Sequence, residues 1–460
     1  MKTLFFLLIP LFTFSQVELP TAPQPTQIQH YGNQGLGNPN GIQPPNPMNI
    51  FYGTEEKQRQ QLQNQQIIQE VQQHQKQQLE AQNQIKKELR ELNSQNDGIN
   101  YNLPSHSNLI GVKYYEDVYN NMLVLDETNY SVKDINFNIE NAYFENALEK
   151  AEFDKTIKQT AEFILAKMKE LNYDLNSNSA KNYMIFQYFS ETLQLKGFKT
   201  KHFPLTYDFE DYRGEKNWAK MFVTKLLRTG TGQCHSMPLL YLTIAEEINA
   251  KAFLSICPNH SYIKFQDEKG KWYNLELTNG MFTASSFILN SGFIKAEAMQ
   301  NNIYMQNFSK KELLSQLYTD LAMGYIHKFG YDEFVEKTIK KALDLYPNNI
   351  NANMVKANYD TVRFQYVMKQ IGINPENKQE LQGIRNFPQA IALLNETNEQ
   401  YQKIDDLGFQ QMPAEAYEKW LGSLQTTKNK QDNEKEKEAL QRLTKVLNEA
   451  KRKMDLKNKQ

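Results

Sequence analysis

The stretch TGTGQCHSMPLLYLTIAEEINAKAFLSICPNHSYIKFQDEKGKWYNLELTNG, Thr229 to Gly280, sets a cysteine after a glycine-rich turn, a histidine at the head of one strand-like run and a carboxylate on the next. Gly230 and Gly232 permit a tight turn before Cys234, and the apolar run HSMPLLYLTIAEEI after it reads as a helix that tolerates Pro238 in its first turn. Cys234 is therefore expected at a helix N-terminus, where the aligned peptide dipoles favour an anion. A cysteine nucleophile needs such help, because only the thiolate attacks and an ordinary thiol has a pKa of about 8.5. AFLSIC, Ala252 to Cys257, suits a buried strand, Pro258 and Asn259 form a turn, and HSYIKF begins the next strand at His260. The polar DEKG turn then makes a hairpin with KWYNLEL. Strand alternation puts His260, Tyr262 and Lys264 on one face of the first strand and Trp272, Asn274 and Glu276 on one face of the second. His260 and either Asn274 or Glu276 can then look into the same cleft.

These residues resemble the transglutaminase-like superfamily of papain-like cysteine enzymes. Its members place a cysteine after a glycine at a helix start, a histidine on a following strand, and an aspartate four residues after a tryptophan on the next strand. G-Q-C-H-S-M resembles the first element, N-H-S-Y-I-K-F the second and W-Y-N-L-E-L-T the third, so the resemblance spans about Trp218 to Asn290. It implies an α+β fold whose papain/transglutaminase-like core combines helices with an antiparallel sheet. It also implies Cys234 as nucleophile, His260 as general base and Glu276 as the group that orients the imidazole, with no cofactor and a peptide or protein substrate. Glu276 stands where the family has aspartate, and Asn274 is the alternative third member. Trp218 and Gln233 are candidates to shape an oxyanion site, and His235 reads as first-turn surface. Cys257 leaves a second reading open: a disulfide to Cys234 would mask the nucleophile and stabilise the chain by roughly 3 kcal/mol on the chain-entropy model.

Working outward, 460 residues exceed the roughly 250 to 300 at which single cores stop growing, so several domains are expected. The N-terminus, with Lys2, an apolar run from Leu4 to Phe14 and small Ser15, reads as a secretory signal peptide over residues 1–16. The protein is accordingly expected to be exported, to a periplasm, cell envelope or the medium, with no integral membrane segment after signal removal. Residues 17–53 are rich in proline, glutamine and asparagine and are expected to be a disordered linker in a flexible N-terminal arm. Residues 54–97 read as one glutamine-rich helix, for which a solvated helix and a coiled coil both stay open. The transglutaminase-like domain is placed at 101–300, with LIGVKYY and NMLVL extended, a single amphipathic helix from Glu140 to Leu171, and a second helix capped by Ser177.

Residues 309–425 read as an α-helical, repeat-like C-terminal domain. Leu321, Ala322, Gly324 and Tyr325, then Ala342 and Pro347, resemble the tetratricopeptide (TPR) helix pair, and Tyr401 to Leu424 echoes it. Such a domain implies a protein partner. Residues 426–460 read as a charged helix or tail. Lysine plus arginine (52) nearly balance aspartate plus glutamate (53), which leaves no basic stripe for nucleic acid. The seven histidines are scattered without an i, i+4 pair, there is no CxxC, and GTGQC lacks the lysine and spacing of a phosphate loop, so no metal or phosphate site is expected. Two functional readings follow: a thiol hydrolase or acyltransferase acting on amides, and a non-catalytic scaffold binding proteins through its helical regions.

Overall fold

The computed structural model describes residues 98–423, together with isolated helical positions at 73, 76, 80, 84, 426 and 429. The expected signal peptide, the linker, and most of the glutamine-rich helix and the charged tail lie outside the described residues. Two compact units are distinguished, and every candidate residue falls in the larger, whose described parts are 100–367 and 396–423 with positions 426 and 429.

That unit is α+β, mostly helical with a small antiparallel sheet. It opens with α1 (Val112–Leu123), in the segment expected to be extended. Val112, Tyr115, Val118 and Met122 are its buried positions, spaced by three and four, so helical periodicity outweighs β-rich composition here. The expected single helix over Glu140 to Leu171 is two helices, α2 (Val132–Tyr143) and α3 (Lys150–Glu170). Glu145 and Asn146 both take left-handed φ (55° and 62°), which a right-handed helix cannot continue, and Asn141 Oδ1 accepts the Leu148 N–H at 2.9 Å to close the corner. Ser177 caps α4 (Asn178–Ser190), its hydroxyl accepting the Ala180 N–H at 3.1 Å.

After β1 (Thr206–Tyr207) and a 3₁₀ turn (Trp218–Met221) comes α5 (Val223–Thr229), which ends at left-handed Gly230 (φ 70°). The start of α5 has no side-chain cap of its own. Glu140, buried on α2, supplies one instead by accepting the Val223 N–H at 2.7 Å, the Thr224 N–H at 2.9 Å and Asn136 Nδ2 at 2.8 Å. Burial raises the Glu140 carboxyl above its ordinary range, against the pull of these donors. β2 (Thr231–Gly232) then pairs in parallel with β1, Tyr207 opposite Gly232.

The helix α6 (Ser236–Glu247) is buried at every residue from Ser236 to Ala245, as befits an apolar helix at the centre of a domain. Helices α2 to α5 surround it, and β3 and β4 cover it on a further side. Strands β3 (Phe253–Cys257), β4 (His260–Gln266), β5 (Trp272–Glu276) and β6 (Met281–Thr283) form an antiparallel meander in sequence order. Two short helices follow, α7 (Ser285–Leu289) and α8 (Ala296–Gln300).

Next come α9 (Lys310–Phe329), started by a Ser309/Glu312 capping box, and α10 (Glu333–Leu345), capped by Asp332. They pack as a pair, and Gly324 on α9 leaves room for Tyr115, whose hydroxyl would be 3.3 Å from a β-carbon there. α11 (Ile350–Gln370) follows. One continuous apolar core runs from Leu103 to Leu421 and takes in residues of α1, the sheet and α9 alike. A short α12 (Lys378–Leu381), a 3₁₀ turn (Gln382–Asn386) and α13 (Pro388–Asp406) come next, since Pro388 has no N–H to continue the first piece. A last helix covers 414–423.

Candidate active site

The turn before α6 positions the thiol. Helical geometry begins at Ser236, so Cys234 lies in the preceding turn rather than in the first helical turn. Ser236 Oγ accepts the Gln233 N–H at 3.0 Å, and Gly232 is required beside it because a β-carbon would sit 2.7 Å from that oxygen. Cys234 is partly exposed, while Cys257 is buried, and both are free thiols. The hydroxyl of Ser261, on β4, donates to the Cys234 carbonyl and ties the turn to the strand that carries His260.

Strand register brings the other members in. Cys257 pairs with His260 across the Pro258–Asn259 turn, and Asn259 takes the left-handed φ of 57° that so short a connection demands. Lys264 faces Asn274 on β5, so Glu276 reaches His260 diagonally, with Oε2 accepting from His260 Nε2 at 2.7 Å. The second oxygen of Glu276 accepts from the Thr278 N–H at 3.0 Å and the Thr278 hydroxyl at 2.7 Å. Asn274, the alternative third member, turns to the other edge instead, where its Nδ2 lies 3.2 Å from Ser285 Oγ. With Nε2 engaged by the carboxylate, Nδ1 is left on the side of the thiol.

The electrostatics follow from this packing. Burial alone pushes a thiol up, and it holds Cys257 well above the ordinary value. At Cys234 the same burial is outweighed by the hydrogen bond and positive charge of His260, then by Tyr417 and His235, so this thiol is lowered. Burial opposes the charged form of His260, but Glu276 and the thiolate push the imidazole up to about 10. Glu276 is correspondingly lowered, mainly by His260, although it too is buried.

The place of the 414–423 helix at the site and the true setting of His235 are not in the sequence reading. Tyr417, on the 414–423 helix, places its hydroxyl 3.2 Å from His260 Nδ1 and 3.8 Å from Cys234 Sγ. Trp420 on the same helix lies edge-on to the imidazole at 5.0 Å, and Asn259 Nδ2 donates to the Met412 carbonyl at 3.0 Å. His235, expected at the surface, is partly buried: Nε2 pairs with Asp320 Oδ2 of α9 at 3.2 Å, and Nδ1 lies 3.1 Å from the Met221 carbonyl. Burial opposes its charge, yet Asp320 pushes it up to about 9. Of the oxyanion candidates, Gln233 is fully buried with its amide unpaired among the described residues, whereas Trp218 stacks on His327 at 4.4 Å.

A cavity of about 210 Å³ opens beside the thiol, lined by Cys234, His260, His235, Gln316 and Asp320 and by apolar side chains such as Leu254 and Met354. Among the described residues no group of three or more His, Cys, Asp or Glu side chains is placed to hold a metal ion. Nor is any helix among them long and apolar enough to cross a membrane.

The His235–Asp320 pair has a definite pH signature. A histidine raised from about 6.5 to about 9 on folding contributes stability that is fully present below pH 6.5 and is lost as pH rises through 9. His235→Gln is therefore expected to cost on the order of 2 kcal/mol in denaturant unfolding at pH 6. At pH 10 it is expected to cost much less, and an equal cost at both would exclude the charged pair.

No family model and no curated protein matches this chain. Among solved structures it is similar to menin, whose crystal structure reveals that protein's binding site for Mixed Lineage Leukemia (MLL) protein. The match has 11% identity, covers 72% of this chain and 90% of that one, and has a TM-score of 0.28. A likeness at that score carries no argument about fold or function.

Proposed function

We propose that the protein is an exported, transglutaminase-like cysteine enzyme that hydrolyses or transfers the acyl group of peptide or protein amides. In this reading α6 with the β3–β6 meander is the papain/transglutaminase-like core, and the helices from α9 onward are the repeat-like domain where a protein partner docks. The observation that carries it is the 2.7 Å carboxylate–imidazole bond from Glu276 to one ring nitrogen of His260, with His260 and Cys234 lining one cavity and the Tyr417 hydroxyl 3.2 Å from the other ring nitrogen and 3.8 Å from the thiol.

The chemistry then runs as a thiol–imidazole pair allows. The Cys234 thiolate attacks the amide carbonyl, and a carbon–sulfur bond forms. The carbon–nitrogen bond breaks as His260 gives its Nδ1 proton to the leaving amine. Water or a second amine next attacks the thioester, His260 takes up its proton, and the thiolate departs. Glu276 holds the imidazole in one orientation throughout and stabilises its charged form.

Alkylation of the full chain with iodoacetamide across pH tests this. Cys234 is expected to be labelled well below pH 8.5 and ahead of Cys257, with no need for prior reduction. Labelling of Cys234 only after reduction, or with the pH profile of a free thiol, would overturn the enzyme reading. The second reading, a scaffold that keeps the fold without the activity, is favoured by one observation: His260 is 5% exposed and is covered by Tyr417 and Trp420.

A further inference from the structure

The cavity beside Cys234 gives the thiol an open side that does not include Tyr417 or Trp420 among its walls. The other side is filled by the 414–423 helix. There the Tyr417 hydroxyl stands between base and nucleophile, 3.2 Å from His260 Nδ1 and 3.8 Å from Cys234 Sγ. Its ring packs against the Tyr212 ring at 5.4 Å and the Trp420 ring at 6.0 Å, and its hydroxyl lies 3.5 Å from the Tyr207 hydroxyl of β1. Tyr212 also donates to Glu418 at 3.2 Å, which fixes the same helix at the next residue.

We propose that Tyr417 is a positioning residue of the thiol site, its hydroxyl accepting from the imidazolium Nδ1–H and donating to the Cys234 thiolate, so that the 414–423 helix completes the site. The direction of these bonds is forced by chemistry. Glu276 takes the Nε2 proton, a charged imidazole has only a donor left at Nδ1, and a thiolate can only accept. A phenol hydroxyl can accept from one and donate to the other at once. A hydrogen bond to an ion stabilises it more than one between neutral groups, so the phenol favours the charged pair over the neutral thiol and imidazole. The inference rests on reading Cys234 as an acidic thiol.

The Asn259 carbonyl lies 3.9 Å from the sulfur, and the other titratable groups about the thiol and imidazole are Cys257 at the end of β3, Glu276 on β5, Tyr207 on β1, and His235 with Asp320 of α9. None of them is altered in Tyr417→Phe, which keeps the ring and loses only the hydroxyl. The test is the pH–rate profile of Cys234 alkylation by iodoacetamide in the full chain, for the unaltered protein, Tyr417→Phe and Trp420→Phe. Loss of the donor is expected to move the midpoint of Tyr417→Phe up by about one pH unit. Alkylation then slows about three-fold below the midpoint, because a more basic thiolate recovers part of the rate as nucleophilicity. Trp420→Phe thins the packing on the same helix and keeps the hydroxyl, so a midpoint shift there as large as that of Tyr417→Phe would overturn the proposal. An unmoved midpoint in Tyr417→Phe, or faster alkylation at every pH, would overturn the proposal, the second outcome marking the helix as a plug. If the unaltered protein itself titrates as an ordinary thiol, the acidic-thiol reading fails first, and that result is separate from either.

Discussion

His260→Gln is expected to slow alkylation of Cys234 at pH 6 by about thirty-fold or more, and to lower any acyl-transfer activity by about 10³-fold or more. The reasoning starts from the two thiols. Cys257 shows what this packing does to a cysteine with no imidazole partner, which is to hold it well above the ordinary value. Cys234 is packed nearby and is lowered instead, with His260 as the largest opposing influence. Removing the imidazolium takes away the largest influence against burial and leaves only those of Tyr417 and His235, so the thiol should climb, with nucleophilicity recovering a little under half of the lost rate on a logarithmic scale.

The variant also strands Glu276, which is 2% exposed and loses its cationic partner, so a stability loss of about 3 kcal/mol accompanies it. Glu276→Gln in the same background relieves that loss without restoring the acidic thiol. The pair of variants thus separates folding from chemistry. Alkylation that proceeds at pH 6 as before in His260→Gln would show that the imidazole does not govern Cys234.

Glu140→Ala carries the largest expected stability effect, about 3 kcal/mol or more by denaturant unfolding. Its carboxylate accepts from Val223 and Thr224 at the start of α5 and from Asn136, all at 2.7 to 2.9 Å, in a fully enclosed setting. Truncation leaves these donors without an acceptor and opens a cavity, two penalties that add. Glu140→Gln keeps the volume and one oxygen, and is expected to cost roughly half as much. Because α5 runs into Gly230 and the Cys234 turn, Glu140→Ala should also loosen the site and blur the pH profile of Cys234. A loss under about 1 kcal/mol would mean that the first turn of α5 holds without its remote cap.

What was legible in the sequence follows the range of the interactions. Alternation along β4 and β5 is local, so His260, Asn274 and Glu276 could be assigned to faces from the text, and the apolar run after Cys234 could be assigned to a helix. The choice between Asn274 and Glu276 was not legible, because it depends on the stagger of β4 against β5, which only the pairing of Lys264 with Asn274 fixes. His235 reads as surface in the text and is partly buried in the fold for a related reason: its partner Asp320 belongs to a helix 85 positions onward, and no short pattern announces that contact. Tyr417 is further still from the motif it touches, and its segment carries only a weak helix-pair echo. The corner between α2 and α3 was missed because Phe144, Glu145 and Asn146 fit an amphipathic helix by type, whereas Asn141 competes for the Leu148 N–H with its side chain.

The two-residue turn at Pro258 and Asn259 has a consequence for how the sequence can drift. Cys257 pairs directly with His260 across it, so one inserted or deleted residue there would turn the imidazole to the opposite face of the sheet while leaving the strands able to pair. Such a change would leave every site residue present in the alignment but no imidazole beside the thiol, and would turn over the buried Ile263 and Phe265 as well. Changes of length at the polar DEKG end of the next hairpin leave His260 where it is. Length at the first turn therefore bears on whether the imidazole stays beside the thiol, which the identity of the cysteine alone does not reveal.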